Sequence, residues 1–260
     1  ARARTLLPGR DPRGPPPAFR QRGLRPWLGP RADTDHHEAQ DLFDLARSKG
    51  LFVMEGMWTR FLPAIQEVKK LVDQGEIGDI IEIDADFCFE SGAAPDDRLF
   101  DPALGGGALL DVGIYPLTLV NLFLGVPDSF DTEVTMGPTG VDVTEKITYF
   151  YPHATAVMNA SIVADLGREA YIYGTKGYIH IPSFWSTEVA TVYNKDHKIV
   201  REIAVKHLVN GLEYEIFETI RCIRKKELES PVCPHEATLE ILRQTDEIRV
   251  SWNFRYPGER

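Results

Sequence analysis

The chain has 260 residues, 43% of them hydrophobic, which suits one large domain or two modest ones with a real core and excludes wholesale disorder. Its formal charge of −10 argues against general nucleic-acid affinity, and no run of consecutive apolar residues reaches the roughly 18 of a membrane-spanning helix. Cys88, Cys222 and Cys233 are an odd number at spacings that match no zinc pattern, so free thiols in a reducing, cytoplasmic compartment are expected.

Residues 1–32 form a different polymer from the rest, with eight Arg, seven Pro, four Gly and a single acid, Asp11. Their apolar residues follow no period, and arginines interrupted by proline cannot make an amphipathic helix, so the segment is expected to be disordered. Because it opens with Ala rather than Met, it also reads as something other than the natural beginning of a folded protein.

From Asp33 the pattern becomes regular. Asp33 or Asp35 can cap a helix running to about Lys49, with Ala39, Leu42, Phe43, Leu45 and Ala46 as its apolar stripe and Gly50 as the stop. Leu51–Met54 then reads as a short buried strand, and a second helix covers Pro63 to Gln74. After Gly78 the period changes to two, and residues 81–87 alternate as a strand with one wet face does. A loop over 91–104 and three glycines, Gly105–Gly107, lead into an apolar helix over 108–123. Strands follow near 131–136, 146–151, 154–163, 169–173, 178–181, 188–193 and 199–204, before helices at 212–226 and 235–252. The fold class implied is α/β followed by α+β, the second part a large, predominantly antiparallel open sheet with helices on one face.

Chemistry concentrates at two places. Asp111 and Tyr115 stand four apart on the glycine-led helix, so they share a face and make a plausible proton-transfer pair. The alternative is structural, with Asp111 favoured by the helix start and Tyr115 packed with its hydroxyl satisfied. Glu55–Phe61 follows a strand end, where Trp58, Arg60 and Phe61 form either an aromatic wall with one cation or ordinary core, and Phe87, Phe89, Phe184 and Trp185 pose the same choice. Lys176 sits in a hairpin turn and is expected to be solvated. His36-His37 has no third ligand in metal spacing, so no metal site is expected. No Gly-x-Gly-x-x-Gly follows a strand anywhere in the chain.

Five blocks in order, LFVMEGMWTRFLP (51–63), GEIGDI (75–80), GGGALLDVGIYPL (105–117), GTKG (174–177) and YEIFETIRCIRKKELESPVCPHEA (214–237), resemble the Gfo/Idh/MocA oxidoreductases, most nearly the branch of dimeric dihydrodiol dehydrogenases and NADP-dependent D-xylose dehydrogenases. The resemblance implies a Rossmann domain followed by a substrate domain whose sheet often forms a dimer. It divides this chain into a basic segment (1–32), a remnant of the dinucleotide domain (33–60) and a substrate and dimerisation domain (61–260). Carried over by position, Tyr115 is the catalytic acid/base and Asp111 its orienting acid. Trp58, Phe87 and Trp185 line the substrate pocket, and Trp58 and Arg60 lie beside the nicotinamide of NADP. The family's Glu-Lys-Pro falls on Gly29, Pro30 and Arg31, so its lysine and its glycine-rich loop are absent. Two functions follow: an NAD(P)-dependent oxidoreductase of a sugar or dihydrodiol, crippled here, or a non-catalytic module for dimerisation or polyol binding. No nucleic-acid or membrane partner is expected.

Overall fold

The computed structural model describes residues 35–259. The expectations for residues 1–32, for Asp33 as a cap and for the Glu-Lys-Pro position at 29–31 lie outside them. Helix α1 (His36–Ser48) begins at Asp35, whose carboxylate accepts from the Glu38 amide and satisfies one of the orphan donors of the first turn. Ala39 and Phe43 bury against Leu239 and Leu242 of the last helix, α5 (His235–Ser251). Leu45, expected in the stripe, is exposed, because α5 covers only the Ala39–Phe43–Ala46 side.

The strand expected over Leu51–Met54 does not form. These residues pair with no strand among the described ones, and single bonds hold them instead: the Val53 amide donates to the Leu228 carbonyl, and the Val53 carbonyl receives the His235 ring. A 3₁₀ turn (Trp58–Phe61) leads into α2 (Pro63–Asp73), which starts on a proline whose missing N–H costs nothing there and buries Ile65, Val68 and Leu71.

The alternating segment is β1 (Ile80–Glu90). Eight more strands follow α3 (Ile114–Leu124): β2 (Ser129–Met136), β3 (Asp142–Phe150), β4 (Thr155–Ser161), β5 (Val163–Gly167), β6 (Glu169–Gly174), β7 (Gly177–Pro182), β8 (Val189–Asn194) and β9 (Ile199–Ala204). They form one sheet in the order β2-β3-β4-β1-β6-β7-β8-β9, with β5 also on β1. All pairs are antiparallel except β1–β4, so the predominantly antiparallel sheet is observed with β1 inserted at its centre. Ile83, Ala85, Ile147, Met158, Ile172 and Ile179 face a core closed by α2, α3 and α5. Pro102–Leu124 has the length and composition of a membrane span, contrary to the sequence expectation, but it is broken by turns and over half buried against this sheet.

The opposite sheet face carries an aromatic ladder. Tyr171 stacks on His180 at 4.5 Å and Tyr178 on Tyr193 at 4.6 Å, with Tyr173 between the two pairs. Helix α4 (Glu213–Lys225) follows the sheet. Its Glu213 carboxylate accepts from the amides of Val209, Asn210 and Gly211, closing the loop that enters the helix. Those bonds hold the carboxyl down at about 2. A lowered carboxyl stabilises the fold above its ordinary value and loses that contribution as pH falls towards 2. Glu213→Ala is therefore expected to lower the melting temperature at pH 7, with the gap to the native protein narrowing between pH 4.5 and 2.

Candidate functional site

The helix that carries Asp111 and Tyr115 does not start as a plain α-helix. Leu109–Gly113 is a π-turn and α3 begins at Ile114. Pro116 supplies the reason, since it has no N–H for the carbonyl four residues back and its ring crowds that carbonyl, which widens the preceding turn. Asp111 and Tyr115 still line one cavity, but as partners of other groups. Asp111 Oδ1 receives the Arg98 guanidinium at 2.5 Å from the 3₁₀ turn Arg98–Phe100, and the Trp58 side chain lies beside the Tyr115 phenol. Asp111 is thus an ion-paired acid on the same cavity wall as the Tyr115 phenol.

The cavity, about 560 Å³, brings together Trp58, Arg60, Phe87, Phe89, Asp111, Tyr115 and Trp185, whereas Phe61 and Phe184 are buried and do not line it. Phe87 projects from β1 and packs edge-on to Tyr115 at 5.4 Å and face-to-face with Trp185 at 4.0 Å. Trp185 is positioned by a short 3₁₀ turn whose carbonyl accepts from the Thr59 hydroxyl at 2.9 Å, which ties it to the turn bearing Trp58. Arg60 is 9% exposed, and its Nε donates to the Val232 carbonyl at 3.1 Å.

Burial is the main force on the Tyr115 phenol and pushes it up, the indole N–H of Trp58 works against it, and the negative charges of Asp111, Glu215 and Glu55 push it further. At neutral pH it is a hydrogen-bond donor. Glu55, on the cavity wall, is raised by desolvation, and Glu215 of α4 is pushed up to about 7 by burial and by Glu55. One Glu215 oxygen is buried without a donor among the described residues. Glu215, Arg98 and Thr118 carry no sequence signal of a site; Glu215 comes from the far end of the chain, and no local spacing ties it to Tyr115.

Outside the cavity, Lys176 lies exposed in its turn, and His36 pairs with Asp246 at 2.6 Å. All three cysteines are free and buried. No group of three metal-binding side chains occurs among the described residues.

A family model described as the GFO/IDH/MocA C-terminal domain matches residues 65–180. Among curated proteins, trans-1,2-dihydrobenzene-1,2-diol dehydrogenase of Mus musculus is 30% identical over 230 residues, covering 86% of this chain and 68% of its own length. The enzyme of the same name from Xenopus tropicalis is 33% identical over 228 residues, covering 85% and 68%. Among solved structures, an aldose-aldose oxidoreductase from Caulobacter crescentus complexed with glycerol superposes with a TM-score of 0.76 at 20% identity, covering 85% of this chain and 67% of that one. A 3-ketoreductase from Actinomadura kijaniata in complex with NADP and TDP-benzene gives 0.74 at 24% identity, covering 84% and 67%. The chain therefore spans about two thirds of the length of the proteins it matches.

A carboxyl raised in the folded state binds protons that the unfolded chain has already released, so its contribution fades as pH rises above the ordinary value. Through Glu215, stability is expected to decline from about pH 4.5 to 7. Glu215→Gln should flatten that decline in urea unfolding followed across this range; an unchanged slope would assign it to other groups.

Proposed function

The chain belongs to the Gfo/Idh/MocA oxidoreductase family, and on that footing we propose that its described residues form the substrate half of a nicotinamide-dependent dehydrogenase site for a sugar or trans-dihydrodiol. The observation that carries this reading is Tyr115, a phenol held protonated on the wall of an aromatic cavity with the ion-paired Asp111 one turn before it. Tyr115 gives its hydrogen bond, and during reaction its proton, to the reacting oxygen. A phenol with a raised pKa serves a developing alkoxide better than it strips a neutral hydroxyl, so the site favours the reducing direction at neutral pH. Asp111 uses one oxygen for Arg98 and keeps the other for a second hydroxyl of a vicinal diol. Trp58, Phe87 and Trp185 give apolar ring faces on which a ring can stack.

A nicotinamide dinucleotide supplies the hydride chemistry of such oxidoreductases, but the donor set of the described residues does not fit its pyrophosphate. The cavity wall holds the carboxyls of Glu55 and Asp111, one cation in Arg60 and no lysine. Gly105–Gly107 do not open as a phosphate loop: a Cβ on Gly106 would come within 2.6 Å of the Arg98 carbonyl, and one on Gly107 would collide with Asp142. The cofactor roles of Trp58 and Arg60, and the reading of 33–60 as the cofactor-side remnant beside a substrate domain at 61–260, rest on the family alone. The same donor set favours the second reading, a polyol-binding module without turnover.

Trans-cyclohexane-1,2-diol is expected to quench the tryptophan fluorescence saturably, and Tyr115→Phe to weaken it by roughly threefold to tenfold, the worth of one buried hydrogen bond. Failure of a folded protein to bind diol would overturn the substrate-half reading. Saturable NADPH binding with turnover would overturn the module reading and place phosphate donors outside the described residues.

For self-association, the uncovered face bearing Tyr171, Tyr173, Tyr178 and Tyr193 supports a homodimer through the sheet. Tyr178→Asp should then shift sedimentation towards monomer while diol binding is kept. The three buried free thiols support a cytoplasmic setting.

A further inference from the structure

Two acids lie sealed beneath the helix that carries Tyr115, and the function above does not use them. Asp142 is fully buried and Glu145 is 2% exposed, both on β3. Asp142 Oδ2 accepts from the Leu109 amide at 2.6 Å, and the Ala108 amide also acts on its carboxyl, both at the start of the segment that runs through Asp111 to Tyr115. Asp142 Oδ1 and both Glu145 oxygens are buried with no hydrogen-bond partner among the described residues, and the two carboxyls lie near enough for the charge of Asp142 to act on Glu145. Two carboxylates cannot bond each other unless one carries a proton.

The helix is cut to fit this pair. A Cβ on Gly107, where φ is +123°, would collide with Asp142 Oδ1, and one on Gly113 would come within 2.6 Å of Glu145 Oε1. Both glycines therefore make room for carboxyl groups, one at each end of the π-turn.

We propose that Asp142 and Glu145 form a one-proton pair that positions the Tyr115 segment, with Asp142 as the anion capping Ala108 and Leu109 and Glu145 as the neutral acid donating to Asp142. The role in positioning Tyr115 for reaction rests on the function proposed above; the proton sharing and the capping do not.

The surroundings support this division. Burial pushes the Asp142 carboxyl up as well, but it is opposed there by the amides of the helix start and by Arg249, which lies on α5 and is itself paired with Asp246 and Glu259. The other titratable groups facing the pair are Tyr256, whose hydroxyl donates to the Gly106 carbonyl at 2.6 Å, and Cys88 on β1. Both are neutral, and neither offers Glu145 a positive partner. Burial first, then the charge of Asp142, pushes the Glu145 carboxyl well above the usual carboxylate range, so it holds its proton at neutral pH. Ionising it would put two negative charges under one helix turn.

Hydrogen exchange read by mass spectrometry on peptides covering 105–116 tests the pair in the full chain. After correction for intrinsic exchange, protection at Ala108 and Leu109 is expected to fall in the native protein as pH is raised through Glu145 ionisation. Glu145→Gln, whose amide donates at every pH, should hold protection flat over the same range. Asp142→Asn should lose at least tenfold at all pH values. A pH dependence in Glu145→Gln equal to the native one, or no fall in the native protein, overturns the proposal, and this comparison decides the matter even if Asp142→Asn does not fold. Diol affinity followed over the same pH range separates the two layers: parallel loss of affinity in the native protein but not in Glu145→Gln supports positioning of Tyr115. A native protein that never binds diol overturns the functional reading while leaving the exchange result to judge the pair.

Discussion

The site depends on the register of β1. This strand is hydrogen-bonded on both sides, to β4 in parallel and to β6 antiparallel, and it alone presents Phe87 to both Tyr115 and Trp185. Side chains alternate across a strand, so a slip of one residue would turn Phe87 outward and bring Asp86 or Cys88 beneath the phenol. Seven paired residues on β4, from Glu82↔Thr155 to Cys88↔Ser161, make that slip costly. The aromatic wall is therefore as rigid as the centre of the sheet, while Asp111 is held from a loop by one exposed arginine.

Much of the architecture was legible because the sheet strands alternate and the helices carry stops. Pro63 at the start of α2, the alternation of residues 81–87 and the break at Pro231 and Pro234 before α5 are local signals, and the elements stand where those signals put them. Pairing was not legible, since nothing in β1 names β4 as its parallel neighbour. The failure at Leu51–Met54 has the same root: an apolar run becomes a strand only where another strand offers it N–H and C=O groups. At the site, the convergence of Trp58, Phe87 and Trp185 came from resemblance, whereas their mutual contacts depend on turns at Trp58–Phe61 and Phe184–Ser186 that carry no periodic signal.

Asp142 and Glu145 were missed for a more instructive reason. The sequence predicts this strand from Lys146, four residues after its observed start at Asp142. Yet Glu145 stands two residues before Ile147 and four before Tyr149, on the inward phase of β3. A carboxyl in phase with the core is a stronger signal than a carboxyl in a cluster, since its burial must be offset by something specific.

Among the described residues, Asp142 with Glu145 and Glu55 with Glu215 are two pairs of neighbouring acids, and their placement separates two tasks. Glu145 and Glu215 are acted on by burial and by a neighbouring acid with no cation to offset them, and removing a carboxylate from water costs more than keeping its proton, so both hold protons above the ordinary range. Glu145 is sealed between sheet and helix, so its proton is fixed under ordinary conditions and the Tyr115 segment rests on a constant seat. Glu215 lies behind the cavity wall beside Gly56 and its carboxyl is pushed up to about 7, so the charge acting on the phenol varies with pH. When Glu215 ionises, its field raises Tyr115 further and keeps the phenol protonated. The fold thus places its unvarying acid under the helix and its variable one near the phenol.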